Sequence, residues 1–195
     1  MTAQLILASR SPRRRSLLEK LCIPFEIIAS DVEEVVDPDW TPAETVVKLS
    51  VEKAQQVAAA NPERLVLAAD TIVVLDGHIL GKPDSPTEAI DMLSRLSGRT
   101  HEVLTGVALF HLASDRKVFD YERTQVTFSS LEDDEIEAYV DSGSPLDKAG
   151  AYGIQDDRGS LFISGISGDY YNVVGLPLNL LYRLTKRHFP DLKIF

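Results

Sequence analysis

The chain has 195 residues, 44% of them hydrophobic and 26% charged, with a formal net charge of −10 at neutral pH. That balance describes a soluble globule with a substantial core and excludes a disordered chain. The acidic excess excludes a general nucleic-acid or membrane binder, because phosphate surfaces are held by spread positive charge. The apolar run Leu5-Ile6-Leu7-Ala8 reads as a strand ending at Ser9, and Ser11-Pro12 opens a helix. Leu17, Leu18 and Leu21 form its apolar face, and Cys22 beside them is expected in the core. As the only cysteine, it excludes an internal disulfide. Pro24 breaks the helical pattern, Phe25 to Ile28 reads as a strand, and an acidic stretch carrying Glu33 and Glu34 follows.

Thr41-Pro42-Ala43-Glu44 is a capping box, which predicts a helix to about Ala60, where Asn61-Pro62 ends it. Lys53 falls beside its apolar stripe, where a lysine ordinarily carries its charge out to water. Leu65 to Ala69 reads as a strand buried on both faces and terminated by Asp70; Ile72 to Leu75 resumes it, and Asp76-Gly77 turns a hairpin back through His78-Ile79-Leu80 to Gly81-Lys82-Pro83. Ser85-Pro86-Thr87-Glu88 is a second capping box, for a helix stopped by Ser97-Gly98. His101 to Phe110 and Lys117 to Phe128 form a hairpin with its turn near Ser114-Asp115, so the sheet is mixed. Ser130 to Asp133 opens a helix to about Val140. Asp147 to Gln155 has neither period, and its glycines let backbone approach something closely. Ser160 to Ile166 and Tyr170 to Val174 read as strands, and a final helix carries Leu180, Leu181, Leu184 and Phe189. There are no repeats and no linker; residues 1–195 form one α/β domain. No leader pattern precedes the first strand and no apolar run approaches the ~20 residues of a membrane span, so a cytoplasmic protein is expected.

The first helix breaks a local rule. Its N-terminus carries partial positive charge and favours acidic residues, yet Arg13, Arg14 and Arg15 stand there with Arg10 just upstream. Backbone N–H groups, serine hydroxyls and guanidinium forks together suit a bound phosphate. Asp70, embedded between two buried runs with no helix behind it to cap, needs a cation, a metal or donors. With Lys53, Lys82, Lys148 and Glu34, these residues suit a phosphorylated substrate and a divalent metal. Phosphate-binding G-x-x-x-x-G-K-[ST], dinucleotide-binding G-x-G-x-x-G and hydrolase G-x-S-x-G patterns are absent, and the four histidines show no zinc spacing.

Taken together, S-x-S-P-R-R at Ser9 to Arg14, Glu33-Glu34, E-K-A at Glu52 to Ala54, A-D-T at Ala69 to Thr71, G-K-P at Gly81 to Pro83 and L-S-G-R at Leu96 to Arg99 resemble the Maf family. D-K-A-G-A-Y-G-I-Q at Asp147 to Gln155 and V-G-L-P at Val174 to Pro177 extend the resemblance to the last helix. It implies a Maf/ITPase-like α/β fold: a mixed, elongated sheet flanked by helices, two lobes and a central cleft. The implied activity is a nucleoside triphosphate pyrophosphatase of the nucleotide-pool house-cleaning kind, cutting the α–β phosphate bond with Mg2+ or Mn2+ as cofactor. A homodimer is implied as well, without stable nucleic-acid or membrane binding.

Within the family, Arg13, Thr71 and Gln155 resemble the branch acting on dTTP and UTP, and a glutamine amide matches the adjacent carbonyl and N–H of a uracil or thymine edge. By the same resemblance Asp70 is catalytic, either as proton acceptor or as metal ligand, with Glu34 as its metal partner. Ser9, Arg13, Arg14, Lys53, Thr71, Lys82, Lys148 and Gln155 would bind substrate, while Arg10 and Arg15 stay on the solvated surface. The stretch Asp156-Asp157-Arg158-Gly159 departs from the family, which usually has a glycine directly after the glutamine. The alternatives are a 7-methyl-GTP pyrophosphatase of the same family and a non-catalytic nucleotide- or nucleic-acid-binding regulator of cell division.

Overall fold

In the computed structural model, which describes residues 5–155 and 158–195, the chain opens with β1 (Leu5–Leu7), α1 (Pro12–Lys20), β2 (Phe25–Ile27), α2 (Pro42–Ala60), β3 (Leu65–Leu75) and β4 (His78–Leu80). It continues through α3 (Pro86–Leu96), β5 (Thr100–His111), β6 (Arg116–Phe128), α4 (Asp133–Val140), β7 (Ile163–Ser167), α5 (Tyr170–Val174) and α6 (Leu178–His188). The strands form one seven-stranded sheet in the order β2-β1-β3-β5-β6-β7, with β4 paired to β3. β1 is parallel to β2 and β3, whereas β4 and β7 run antiparallel to β3 and β6, so the sheet is mixed, as expected. Among the described residues, no helix is long and apolar enough to cross a membrane.

The chain divides into two compact units. The first holds residues up to Asp70, with Thr105–Glu122 and Gly175–Phe195. Its core joins Ile6 and Ala8 to Ala54, Val57 and Ala58 of α2 and to Val66, Ala68, Ala108 and Phe110. The capping box that opens α2 is present: Glu44 N donates to Thr41 Oγ1 at 3.3 Å and Thr41 N to Glu44 Oε2 at 2.8 Å. Just before it, Trp40 lies under the Lys48 ammonium, 4.1 Å from the ring centre. β5 passes very close to α2 at Gly106, where a Cβ would stand 2.2 Å from the Val46 carbonyl oxygen.

The second unit holds Thr71–Leu104 and Arg123–Val174. The β3–β4 turn uses left-handed Asp76 (φ 50°) and Gly77 (φ 79°), the pairing a two-residue hairpin requires. Arg99 donates to both Asp76 oxygens, at 2.7 and 2.6 Å. The core gathers α3 and α4 side chains around a set of edge-to-face rings, among them His101, Phe128, Tyr152 and Phe162.

The structure corrects several expectations. Cys22 is exposed, not core: the chain leaves α1 there through a left-handed residue (φ 54°), and Leu21 is likewise exposed. Asp70 does not end a strand; β3 runs through it without interruption. Ser160 lies in a 3-10 turn, Gly159–Phe162, and the strand begins only at Ile163. Tyr170–Val174 is a short helix and not a strand. α4 is capped by Glu132 with Glu135, later than Ser130. The box expected at Ser85 is only half formed, because the Glu88 carboxylate accepts from Asp84 N at 2.8 Å and not from Ser85 N.

Candidate active site

β1 delivers Ser9 to the start of α1, where Ser11 caps the helix by accepting from Arg14 N at 3.4 Å. Arg14 turns back over this end: Nη1 donates to Ser9 Oγ at 3.1 Å and Nε to the Gly175 carbonyl at 2.8 Å. Burial lowers the Arg14 pKa from its ordinary value and Arg13 adds to that effect, while the nearby Asp70 and Glu34 carboxylates oppose it. Arg13 shares the turn and is partly buried, and no acidic residue occupies it. Arg10 and Arg15 are instead surface groups, paired with Asp31 and Glu19.

Lys53, on α2, does not carry its charge to water. It is 9% exposed, and Nζ lies 2.6 Å from Asp70 Oδ1 and 2.6 Å from Glu34 Oε1. Asp70, 6% exposed in the middle of β3, is thereby kept from being a lone buried charge. Glu34 comes from the loop after β2 and remains about half exposed. Three segments distant in sequence thus bring two carboxylates onto one ammonium, beside Arg14.

Among the described residues, no group of three or more His, Cys, Asp or Glu side chains is arranged to hold a metal. The Glu34–Asp70 pair still suits a hard divalent cation, because Mg2+ is commonly held by one or two carboxylates while substrate phosphates supply further oxygens.

The second unit carries the other expected site residues. Thr71 is partly buried in β3; Lys82 is exposed after β4; Gln155 is exposed at the end of its segment. Lys148 is 8% exposed, and Nζ donates to Asp147 Oδ1 at 2.6 Å and to the Ser144 carbonyl, so its charge is met within its own turn. The Gly150 N–H donates to the Gly81 carbonyl at 2.9 Å, joining the Lys148 and Lys82 segments. Asp156 and Asp157 lie outside the described residues. Sequence reasoning reaches Gly175 only as part of V-G-L-P and gives it no role, because its contribution is a backbone carbonyl. Nor does it reach the His101–Tyr152 contact, which joins residues 51 positions apart.

The arginines at the α1 N-terminus thus stand near Asp70 of β3 and Glu34 of the loop after β2, which share the Lys53 ammonium. A family model described as Maf-like protein matches residues 4–188, and the chain belongs to the Maf family. It is 52% identical over 192 residues to a dTTP/UTP pyrophosphatase of Salinibacter ruber, covering 98% of this chain and 94% of that protein. With a dTTP/UTP pyrophosphatase of Bacillus cereus it shares 53% identity over 184 residues, 94% of this chain and 95% of the relative. A solved nucleoside-triphosphatase / dITP/XTP pyrophosphatase from Mycobacterium abscessus aligns over 96% of both chains at 14% identity with a TM-score of 0.45.

Proposed function

We propose that this chain is a nucleoside triphosphate pyrophosphatase that hydrolyses dTTP and UTP to the monophosphate and pyrophosphate. The observation that carries the reading is the convergence of Asp70 and Glu34 on Lys53 beside Arg14, in a Maf chain whose relatives at 52% and 53% identity are named dTTP/UTP pyrophosphatases. Arg13, Arg14 and Ser9 at the α1 N-terminus, with Lys53 and Lys82, receive the triphosphate charge. Asp70 takes a proton from the attacking water as its oxygen bonds to the α-phosphorus, and the α–β bridging oxygen leaves with pyrophosphate. Glu34, joined by Asp70 where that carboxylate serves as metal ligand and not as base, would hold Mg2+ or Mn2+, which would neutralise charge building on the departing phosphate oxygens. Thr71, Lys148 and Gln155 complete the substrate contacts, with the Gln155 amide reading the pyrimidine edge. The reading carries with it action on the cytoplasmic nucleotide pool, by a homodimer.

The test is pyrophosphate release by the purified protein from dTTP, UTP and 7-methyl-GTP, with Mg2+ or Mn2+ and with chelator. Release from dTTP and UTP, lost on chelation, is expected. Preference for 7-methyl-GTP overturns the substrate assignment, and no release from any triphosphate returns the chain to a nucleotide-binding regulator.

A further inference from the structure

We propose that His101, which belongs to neither the phosphate nor the carboxylate cluster, is a positioning residue for the nucleotide-contacting segment that carries Lys148 and Gln155. It acts by holding the Tyr152 hydroxyl, and the proposal rests on the pyrophosphatase reading above.

The segment has an unusual backbone. Gly150 (φ 68°) and Ala151 (φ 60°) are consecutive left-handed residues, and Ala151 is fully buried. A non-glycine residue in that region is strained and persists only where its surroundings over-determine it. Gly150 has no room for a side chain, since a Cβ would meet Val73 at 2.9 Å. Its N–H is fixed on the Gly81 carbonyl, and the Ala151 N–H on that of Lys148 at 3.1 Å. The next residue, Tyr152, is the side-chain anchor: 5% exposed, it packs edge-to-face on Phe128 at 4.8 Å and on His101 at 5.3 Å.

The anchor ends in one directional contact. His101 Nε2 and Tyr152 Oη are 2.7 Å apart, with His101 only 2% exposed on β5. Burial drives the imidazole down to about 4 and keeps the phenol protonated, so both groups are neutral at working pH. Apolar rings of similar size would fill this space without desolvating polar atoms. What the polar pair adds is direction: a single hydrogen bond in a dry aromatic setting selects one placement of Tyr152. That placement fixes the chain four residues back at Lys148 and three residues on at Gln155. Asp70, Lys53 and Glu34 belong to the first unit, and the effect proposed for His101 is on nucleotide binding.

The experiment compares steady-state dTTP hydrolysis and thermal unfolding for the full-length protein and for His101→Phe, Tyr152→Phe and His101→Gln. Tyr152→Phe removes one oxygen and is the variant safest for folding. For both Phe variants KM should rise about tenfold, with kcat held within about threefold, as when ground-state and transition-state binding are lost together. In His101→Gln, whose amide can present either a donor or an acceptor at the place of Nε2, KM should return to within about threefold of the parent. An unchanged KM in both Phe variants, whatever happens to melting temperature or kcat, overturns the proposal and makes the pair purely structural. If the parent protein releases no pyrophosphate, the function reading falls and this one with it.

Discussion

Gly106 of β5 and Val46 of α2 approach so closely that a Cβ on the glycine would stand 2.2 Å from the Val46 carbonyl oxygen. The obstacle is backbone, which cannot swing aside as a side-chain tip would. Lys53 sits two helical turns further along α2, so its place against Asp70 depends on this approach. Gly106→Ala is therefore expected to lower both stability, by about 1–3 kcal/mol or more, and dTTP turnover. Urea unfolding and pyrophosphate release measured on the same preparation check it; loss of stability with unaltered turnover would uncouple the helix from the site.

Removing either end of the central ion pair should have unequal consequences. Lys53→Met leaves Asp70 buried without its cation and should cost about 3–5 kcal/mol. In Asp70→Asn, Lys53 keeps Glu34 at 2.6 Å, so the fold should survive with a much smaller loss. Turnover of Asp70→Asn should nevertheless fall by about a factor of 10²–10⁴, the range a proton-transferring group supplies. Denaturation midpoints rank the two variants, and the opposite ranking rejects the account of Lys53 as the charge that makes Asp70 tolerable.

The arginines at α1 divide by geometry. Arg14 uses Nε and Nη1 on two different acceptors, Gly175 O and Ser9 Oγ, which one ammonium cannot reproduce. Arg14→Lys is expected to lower kcat/KM for dTTP by roughly a hundredfold, the penalty of a misplaced positioning group. Arg10→Ala and Arg15→Ala, which break only exposed pairs, should stay within about twofold. Equal losses across the three would mean that net charge, and not placement, matters.

Stability should also depend on acidity through His101. Its pKa is about 4 in the folded protein and 6.5 ordinarily, so between these values the unfolded chain binds a proton that the folded chain refuses. The contribution is complete above pH 6.5 and is lost as pH falls towards 4, on the order of 3 kcal/mol in all. The difference in unfolding free energy between the parent and His101→Gln, followed from pH 7.5 to 4, isolates this dependence. A pH-independent difference would contradict it.

Features written locally are legible in the sequence itself. Ser11-Pro12, the box at Thr41 to Glu44 and the turn at Asp76-Gly77 each announce themselves within a few residues, and each forms where expected. Tyr170–Val174 was not: aromatic and β-branched residues favour a strand locally, whereas the structure coils them into a helix whose Asn172 donates to the Val103 carbonyl at 2.9 Å. Asp70 resembles a strand terminator because the compensating charge, Lys53, comes from 17 residues away. For the same reason Lys53 alone on its helical wheel looks like a solvated lysine. The arginines of the α1 turn are visible in the sequence, but that Arg14 is oriented by a backbone carbonyl, at Gly175, is not.

The contact between Lys48 and Trp40 gives the protein a built-in optical reporter. Trp40 is the chain's only tryptophan, and it lies six residues after Glu34, with the Lys48 ammonium 4.1 Å from its ring centre. Its emission can therefore be followed without a label or competing indole signal. A spectral change on adding nucleotide or metal would register in the acidic loop itself, where absorbance assays of product are blind.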